Sequence, residues 1–498
     1  MEEFVTTIST RIDEILNSIP LLKVELALAI GFLFTLFSSL LFDRFFKHAS
    51  FVVSCLGILT AFVVLLGQYG ITATGFSGLL LIDSLAFYSR GIILFTLLVA
   101  NVFLWQEIVD LKKEKRAGDL YSVLMASGVG LLVLTVTTHW LLAFIAIEMV
   151  SICSYIMVGY FSANNKQAEA AVKYALFGSA CSAVMLYGLS LIYGFTGNLD
   201  FAQQSHLQGL MTAPNAMLSI SFLFVFTGIG FKLSFVPFHL WAPDVYQGAP
   251  TSVTTYLATV PKVAAIILFA RLYASWSSTG FYFSELTYYF LCVVAILTML
   301  VGNLVALRQT DLKRMMAYSS VGHTGFLLMA LIGYGKGQQD VLLFYILMYS
   351  LMNLAAFAFI AVLEKAYGDT NLETYRGKGF LLPVLFTCFS ITGISLIGLP
   401  PTAGFVAKLL VFSDVFGGYQ NSSDPALLWL LIVGALTSVI SLFYYFKIPL
   451  YAFLRTKRSP EKEQNRPVLS ILYVIGIGLT ILLLVFGLFP SLAWAILS

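Results

Sequence analysis

The chain has 498 residues, of which 59% are aliphatic, aromatic or sulfur-bearing and 11% are charged, so most of it cannot form a water-facing surface. The formal net charge of +3 is too small to draw nucleic acid, and the basic residues are scattered over short links instead of lining one face. Cys55, Cys153, Cys181, Cys292 and Cys388 each sit alone in an apolar run, with no CxxC pair and no histidine at metal-ligand spacing. They read as packed thiols.

The first residues, MEEFVTTISTRIDEILNS, carry two early acids and no basic stretch before an apolar core, unlike a cleavable signal peptide, so the first helix is expected to stay. A membrane span needs roughly 20 apolar residues at 1.5 Å rise. About fourteen such runs follow in chain order, near 24-42, 51-69, 80-106, 119-137, 139-161, 168-194, 216-238, 250-272, 285-306, 312-333, 339-363, 380-413, 427-449 and 468-493. The expected fold is an all-α integral membrane protein.

Lys and Arg in short links resist translocation and stay cytoplasmic. Links after odd-numbered spans hold Arg44 and Lys47; Lys112, Lys113, Lys115 and Arg116; Lys166; Arg308, Lys313 and Arg314; Lys365, Arg376 and Lys378; and Lys447, Arg455, Lys457, Arg458, Lys462 and Arg466. The other side has Arg11, Lys23 and Lys336, with Arg90 and Arg271 near helix ends. Both termini are therefore expected on the outer side, which an even span count also requires.

Four lysines remain, Lys173, Lys232, Lys262 and Lys408, and all fall inside apolar runs, as does Glu148. A lone charge at mid-membrane costs roughly 2.5 to 3.5 kcal/mol on insertion scales, so it persists with a partner, a water path or a function. Glu148 lies nine residues into its run HWLLAFIAIEMVSICSYIMVGY and reads as the single deep carboxylate; Lys262 lies twelve residues into its own. Lys173 is nearer the cytoplasmic end, where snorkelling to the headgroups stays open.

Lys232 and Lys408 lie beside helix breakers. GIGFKLSFVPFHLW surrounds Lys232 with Gly228, Gly230 and Pro237, and ISLIGLPPTAGFVAKLL sets Gly398, Pro400, Pro401 and Gly404 before Lys408. Both helices are expected to be interrupted, and freed backbone groups beside an ionisable side chain make a natural ion site. The structural alternative is a kink whose lysine merely bonds the freed carbonyls. The seventh and twelfth spans cross in opposite directions, so helices 4-8 and 9-13 read as inverted five-helix repeats. The expected division is 1-118 for helices 1-3, 119-272 and 285-449 for the repeats, and 450-498 for a cytoplasmic loop and last helix. A buried lysine loses its proton readily and a nearby carboxylate restores it, so a row of them linked by hydroxyls and histidine can pass protons. His239 and His323, the latter beside Ser319, Ser320 and Thr324, are the candidate intermediates; His48, His139 and His206 read as surface residues.

The stretch FKLSFVPFHLWAPDVYQGAPTSVTTYLATVPKVAAI, with LKRMMAYSSVGHTGF, LPPTAGFVAKLLVF and LLAFIAIEMVSICSYIMVGY, resembles the antiporter-like membrane subunits of respiratory complex I, most closely the N-type group of bacterial NADH:quinone oxidoreductase. The resemblance spans essentially the whole chain. It implies a proton-translocating subunit driven by NADH:quinone electron transfer elsewhere, with proton transfer at Glu148, Lys173, Lys232, Lys262, Lys408 and His323. It also implies no cofactor of its own; FMN, iron-sulfur clusters and quinone belong to partner subunits. Small helical subunits would lie on the Glu148 side and another antiporter-like subunit on the Lys408 side, in a bacterial inner membrane. The absence of a GxGxxG after a strand, a P-loop and a cysteine cluster agrees. A subunit of a multi-subunit cation/proton antiporter shares the fold and much of the charge pattern, but the PFHLWAPDVYQGAP segment argues against it. A scaffold whose buried charges only lock packing is the third reading.

Overall fold

The computed structural model describes residues 12–41, 46–111, 118–161, 165–277, 281–334, 339–455 and 470–497. The loop positions Arg11, Arg44, Lys112, Lys113, Lys115, Arg116, Lys336, Lys457, Arg458, Lys462 and Arg466 lie outside the described residues. Among those described, thirteen helices are long and apolar enough to cross a membrane, matching every predicted span but the twelfth. That one is in two pieces.

In chain order the helices are α1 (Lys23–Leu41), α2 (Ala49–Leu66), α3 (Ser84–Asp110), α4 (Gly118–Val136), α5 (Trp140–Gly159), α6 (Asn165–Thr196), α7 (Gln204–Thr212), α8 (Asn215–Leu233) and α9 (Trp241–Gly248). They continue as α10 (Thr251–Ser277), α11 (Tyr282–Ala306), α12 (Leu312–Tyr334), α13 (Gln339–Tyr367), α14 (Pro383–Ile397), α15 (Ala403–Ser422), α16 (Pro425–Tyr445), α17 (Ile471–Leu488) and α18 (Pro490–Leu497). The seventh span is α8 followed by a break and α9, and the twelfth is α14, a break and α15. Each is the fourth member of a five-helix set.

The chain divides into two compact units. One comprises Met1–Tyr160, Gly178–Ile229 and Val260–Glu285. Here α1 and α2 touch backbone to backbone, since a Cβ built on Gly31 would stand 2.9 Å from the Gly57 Cα. An unpredicted hairpin follows, β1 (Ala73–Gly75) against β2 (Leu80–Ile82), with Thr74 opposite Leu81. It takes the first residues expected of the third span, because Asp83 caps α3 by accepting from the Ala86 N–H at 2.8 Å. Asp83 also holds Arg271, whose guanidinium reaches its Oδ1 at 2.7 Å and the Thr135 carbonyl at 2.6 Å. Glu25 and Arg90 form a second buried pair at 3.2 Å. His206, expected on the surface, is instead buried with Nδ1 2.8 Å from the Asn198 carbonyl, and that burial lowers its basicity. The cause is α7, which the sequence reading treats as loop.

The other unit comprises Phe161–Phe177, Gly230–Thr259 and Leu286–Ser498. Its helix α13 is apolar all round and almost wholly buried, which marks a central rod instead of a lipid-facing helix. Gly398, at φ 86°, closes α14 in the left-handed conformation that glycine tolerates, and its N–H reaches the Ile394 and Ser395 carbonyls. Beyond the break α15 runs to Ser422, nine residues past the predicted end, so Asp414 stands in mid-helix. Asp414 is thus, like Glu148, a partly buried carboxylate inside a long helix. A Cβ on Gly333 would fall 1.4 Å from Asp414 Oδ2, which leaves room there for glycine alone.

Candidate functional site

In the first unit the relevant side chains are Glu148 and Lys262. Glu148, on α5, is half-buried and accepts a hydrogen bond from Ser182 Oγ. Lys262 is 1% exposed on α10. Pro261, one residue earlier, leaves α10 unbroken. Proline removes one N–H from the ladder, and membrane helices tolerate that where neighbouring groups serve the freed carbonyl.

In the second unit the chain leaves α8 just after Lys232. Ser234 has a φ of 57°, and Val236–Pro237 is a cis bond, as is Pro400–Pro401 at the other break. Several of the freed backbone groups find side-chain partners. Trp241 Nε1 donates to the Phe231 carbonyl at 3.0 Å, Thr324 Oγ1 to the Leu233 carbonyl at 2.9 Å, and the Val236 N–H to Thr298 Oγ1 at 3.1 Å. The ends of this break are thus tied by Trp241 and Thr324, and Lys232 is buried beside them. His239 is buried within the same break.

The second break is tied differently. Lys408 Nζ donates to the Ile397 carbonyl at 2.8 Å and to Ser438 Oγ at 3.3 Å, and sits 4.5 Å from the centre of the Phe326 ring. Here the lysine does bond a freed carbonyl. A position for a proton and a structural tie coincide in one amine.

His323 carries the clearest row of hydroxyls. Its Nδ1 lies 2.9 Å from Tyr345 Oη, and on the same face of α12 Ser320 Oγ lies 2.7 Å from Tyr349 Oη. Ser319 bonds Tyr445, and Tyr444 donates to Asn303 Oδ1 at 3.0 Å. Tyr345 and Tyr349 are one helical turn apart on α13, as Ser319 and Ser320 are from His323 on α12, so an i, i+4 pairing of hydroxyls was the available signal.

Lys173 is not a buried lysine. It is half-exposed and ion-paired, 2.8 Å from Glu169 and 2.7 Å from Asp244. Asp244 also takes Arg314 at 2.7 Å, whose Nη1 reaches Gln247 Oε1 at 3.1 Å. Close by in sequence, Lys313 reaches Glu364 at 2.9 Å and the Ala249 carbonyl at 3.2 Å. The PDVYQG segment lies within α9 and ties that helix to α6 and α12 through one carboxylate that sequence reasoning passed over. Asp244→Asn is expected to lower the melting temperature of the purified protein, and the loss should shrink at high salt because these groups are partly solvated. A salt-independent loss would point to packing.

Among the described residues no group of three His, Cys, Asp or Glu side chains is gathered as a metal would require. A family model for the transmembrane part of NADH:quinone oxidoreductase and Mrp antiporter subunits matches residues 137–441. The chain is 37% identical to NADH-quinone oxidoreductase subunit N 2 of Chloroherpeton thalassium, over 76% of this chain and 74% of that relative. A chain of respiratory complex I from Thermus thermophilus, solved with bound aureothin, superposes with TM-score 0.76 at 29% identity, covering 95% of this chain and 99% of that one. A chain of the Mrp complex from Dietzia sp. has TM-score 0.77 at 18% identity, covering 95% of each, and so shares the fold. Interrupted helices beside buried lysines, the PDVYQG segment and these likenesses converge: the chain belongs to the NADH:quinone oxidoreductase/Mrp antiporter membrane family, in its NADH-quinone oxidoreductase subunit N group.

Proposed function

We infer that this chain is the N-type proton-translocating membrane subunit of an NADH:quinone oxidoreductase, a translocase in which electron transfer in partner subunits drives protons through buried Lys and Glu residues here. The observation that carries the reading is the pairing of each interrupted helix with one buried lysine, Lys232 at the first and Lys408 at the second. The subunit N relatives favour it over the antiporter reading, which has the shared fold and the joint family model but no such relatives behind it here.

Glu148 is assigned the entry role, since a carboxylate that gains or loses a proton changes the cost of an ammonium elsewhere in a low-dielectric interior. Lys232, Lys262 and Lys408 exchange protons, with His323 and its hydroxyls as intermediates and His239 as a second relay. Lys173 is assigned to holding the PDVYQG segment by its ion pairs, and a proton-transfer role for it is the weaker alternative. The half-exposure of Glu148 is consistent with a face covered by small helical subunits, and Lys408 is assigned the side of the next antiporter-like subunit. FMN, iron-sulfur clusters and quinone are assigned to partner subunits. The protein sits in a bacterial inner membrane with both termini periplasmic, the positive links facing the cytoplasm. The working division is 1-118, 119-272, 285-449 and 450-498.

The test is proton uptake by liposomes holding the purified complex, measured against NADH oxidised. Glu148→Gln and Lys232→Met are expected to assemble and to lose pumping, since a positioned proton-transfer group contributes roughly a hundredfold or more in rate. Full pumping by both would leave the scaffold reading standing.

A further inference from the structure

An apolar groove of about 820 Å³ runs between α1 and α2 in the first unit. Its sides are Ile30, Phe34, Phe37, Val52 and Leu56, and Gly31 and Gly57 lie along it where the two helices touch. The lining is lopsided in chemistry. Charge appears at one end, where Lys47 and His48 stand in the link before α2. Lys47 is exposed and makes no ion pair with any described residue.

Three features make that end suitable for an anion. Trp105 Nε1 donates to His48 Nδ1 at 3.3 Å, and an indole can only donate, so neutral His48 carries its proton on Nε2 and is a donor there. Second, α2 begins at Ala49, so the positive end of its dipole opens at the same place, and His48 makes no side-chain cap bond there. Third, Trp105, stacked on Phe51 at 5.1 Å, is the residue type that sits at headgroup depth. Among the described residues the apolar slot ends in a cation, an N–H donor and a helix start, which complements an amphiphile with a compact anionic head.

We propose that this groove is a binding site for an anionic phospholipid, one acyl chain lying along Gly31 and Gly57 and the phosphate held by Lys47 and His48 where α2 begins. The mode is that of basic pockets between membrane helices.

The test uses the assembled complex in bilayers doped with phosphatidylglycerol or phosphatidylcholine, each carrying a photoactivatable acyl chain, with labelled peptides read by mass spectrometry. Wild type is expected to be labelled on α1 and α2 several-fold more by phosphatidylglycerol. Lys47→Gln/His48→Gln should bring that labelling down to the phosphatidylcholine level, and Val52→Trp, which fills the slot, should remove both. Equal labelling of wild type by the two lipids would overturn the anionic site. So would a Val52→Trp complex that fails to assemble on a native gel, because a neighbouring subunit's helix would then be the occupant.

Discussion

Lys408→Met is expected to give an assembled complex that oxidises NADH without translocating protons. Methionine keeps the length and apolar stem of lysine, so the space the side chain fills stays filled. What is lost is the amine, which bonds the Ile397 carbonyl at 2.8 Å and Ser438 at 3.3 Å. Leaving a buried carbonyl short of its donor costs about 1 to 3 kcal/mol, enough to lower thermal stability without preventing assembly. Losing a positioned proton carrier slows transfer by roughly a hundredfold or more. Lys408→Arg separates the two roles of this residue. Its guanidinium can still donate to Ile397 but does not give up its proton, so it is expected to restore stability and not pumping. The measurement is the pH change inside liposomes per NADH oxidised, alongside a melting curve. If arginine restores pumping, a fixed charge is all the site requires and a relay through this amine is excluded.

Gly404→Ala is expected to eliminate assembled complex. A Cβ at this position would stand 1.8 Å from the Ser395 carbonyl oxygen and 3.0 Å from Met352 Sδ. The carbonyl belongs to the last turn of α14 and the Gly404 N–H bonds Ser395 Oγ at 3.2 Å, so neither backbone can retreat without undoing the break. Overpacking usually costs about 1 to 3 kcal/mol, and a backbone clash belongs above that range. Gly417, on the same helix with nothing within 4 Å of its would-be Cβ, is the control. Gly417→Ala should be neutral or stabilising by up to about 1 kcal/mol. Normal amounts of Gly404→Ala complex on a native gel would mean that α14 and α15 can separate at this contact.

Much of the architecture was legible because membrane spans are long apolar runs bounded by polar links, and hydrocarbon leaves them few alternatives. Breaks were legible for the same reason: Gly and Pro clusters beside Lys232 and Lys408 cannot continue a helix ladder. The extension of α15 to Ser422 was not, because Ser413, Asp414, Gly417 and Gly418 read as the end of an apolar run, and the helix is kept by its neighbours instead of by composition. Asp244 was missed for a different reason. Its partners Lys173 and Arg314 are 71 and 70 residues away, and an ion pair of that span leaves no local pattern. His206 was misread because burial of a short loop helix depends on what folds over it. The seven residues that read from the sequence as proton carriers fall into distinct settings: Lys232, Lys262, Lys408, His239 and His323 are buried, Glu148 is half-buried, and Lys173 is a partly solvated ion-pair partner.

The hydroxyls beside His323 are oriented as well as positioned. Tyr349 has one hydrogen and gives it to the Ala258 carbonyl at 2.8 Å, so in its 2.7 Å contact with Ser320 the serine must be the donor. Tyr349's hydrogen points at a backbone carbonyl that cannot carry a proton onward, so the hydroxyl would have to swing off Ala258 before a proton passed along this pair and swing back afterwards. The row would then work as a pawl: each passage disarms it, and the return swing, more than the hop itself, would set the interval between protons.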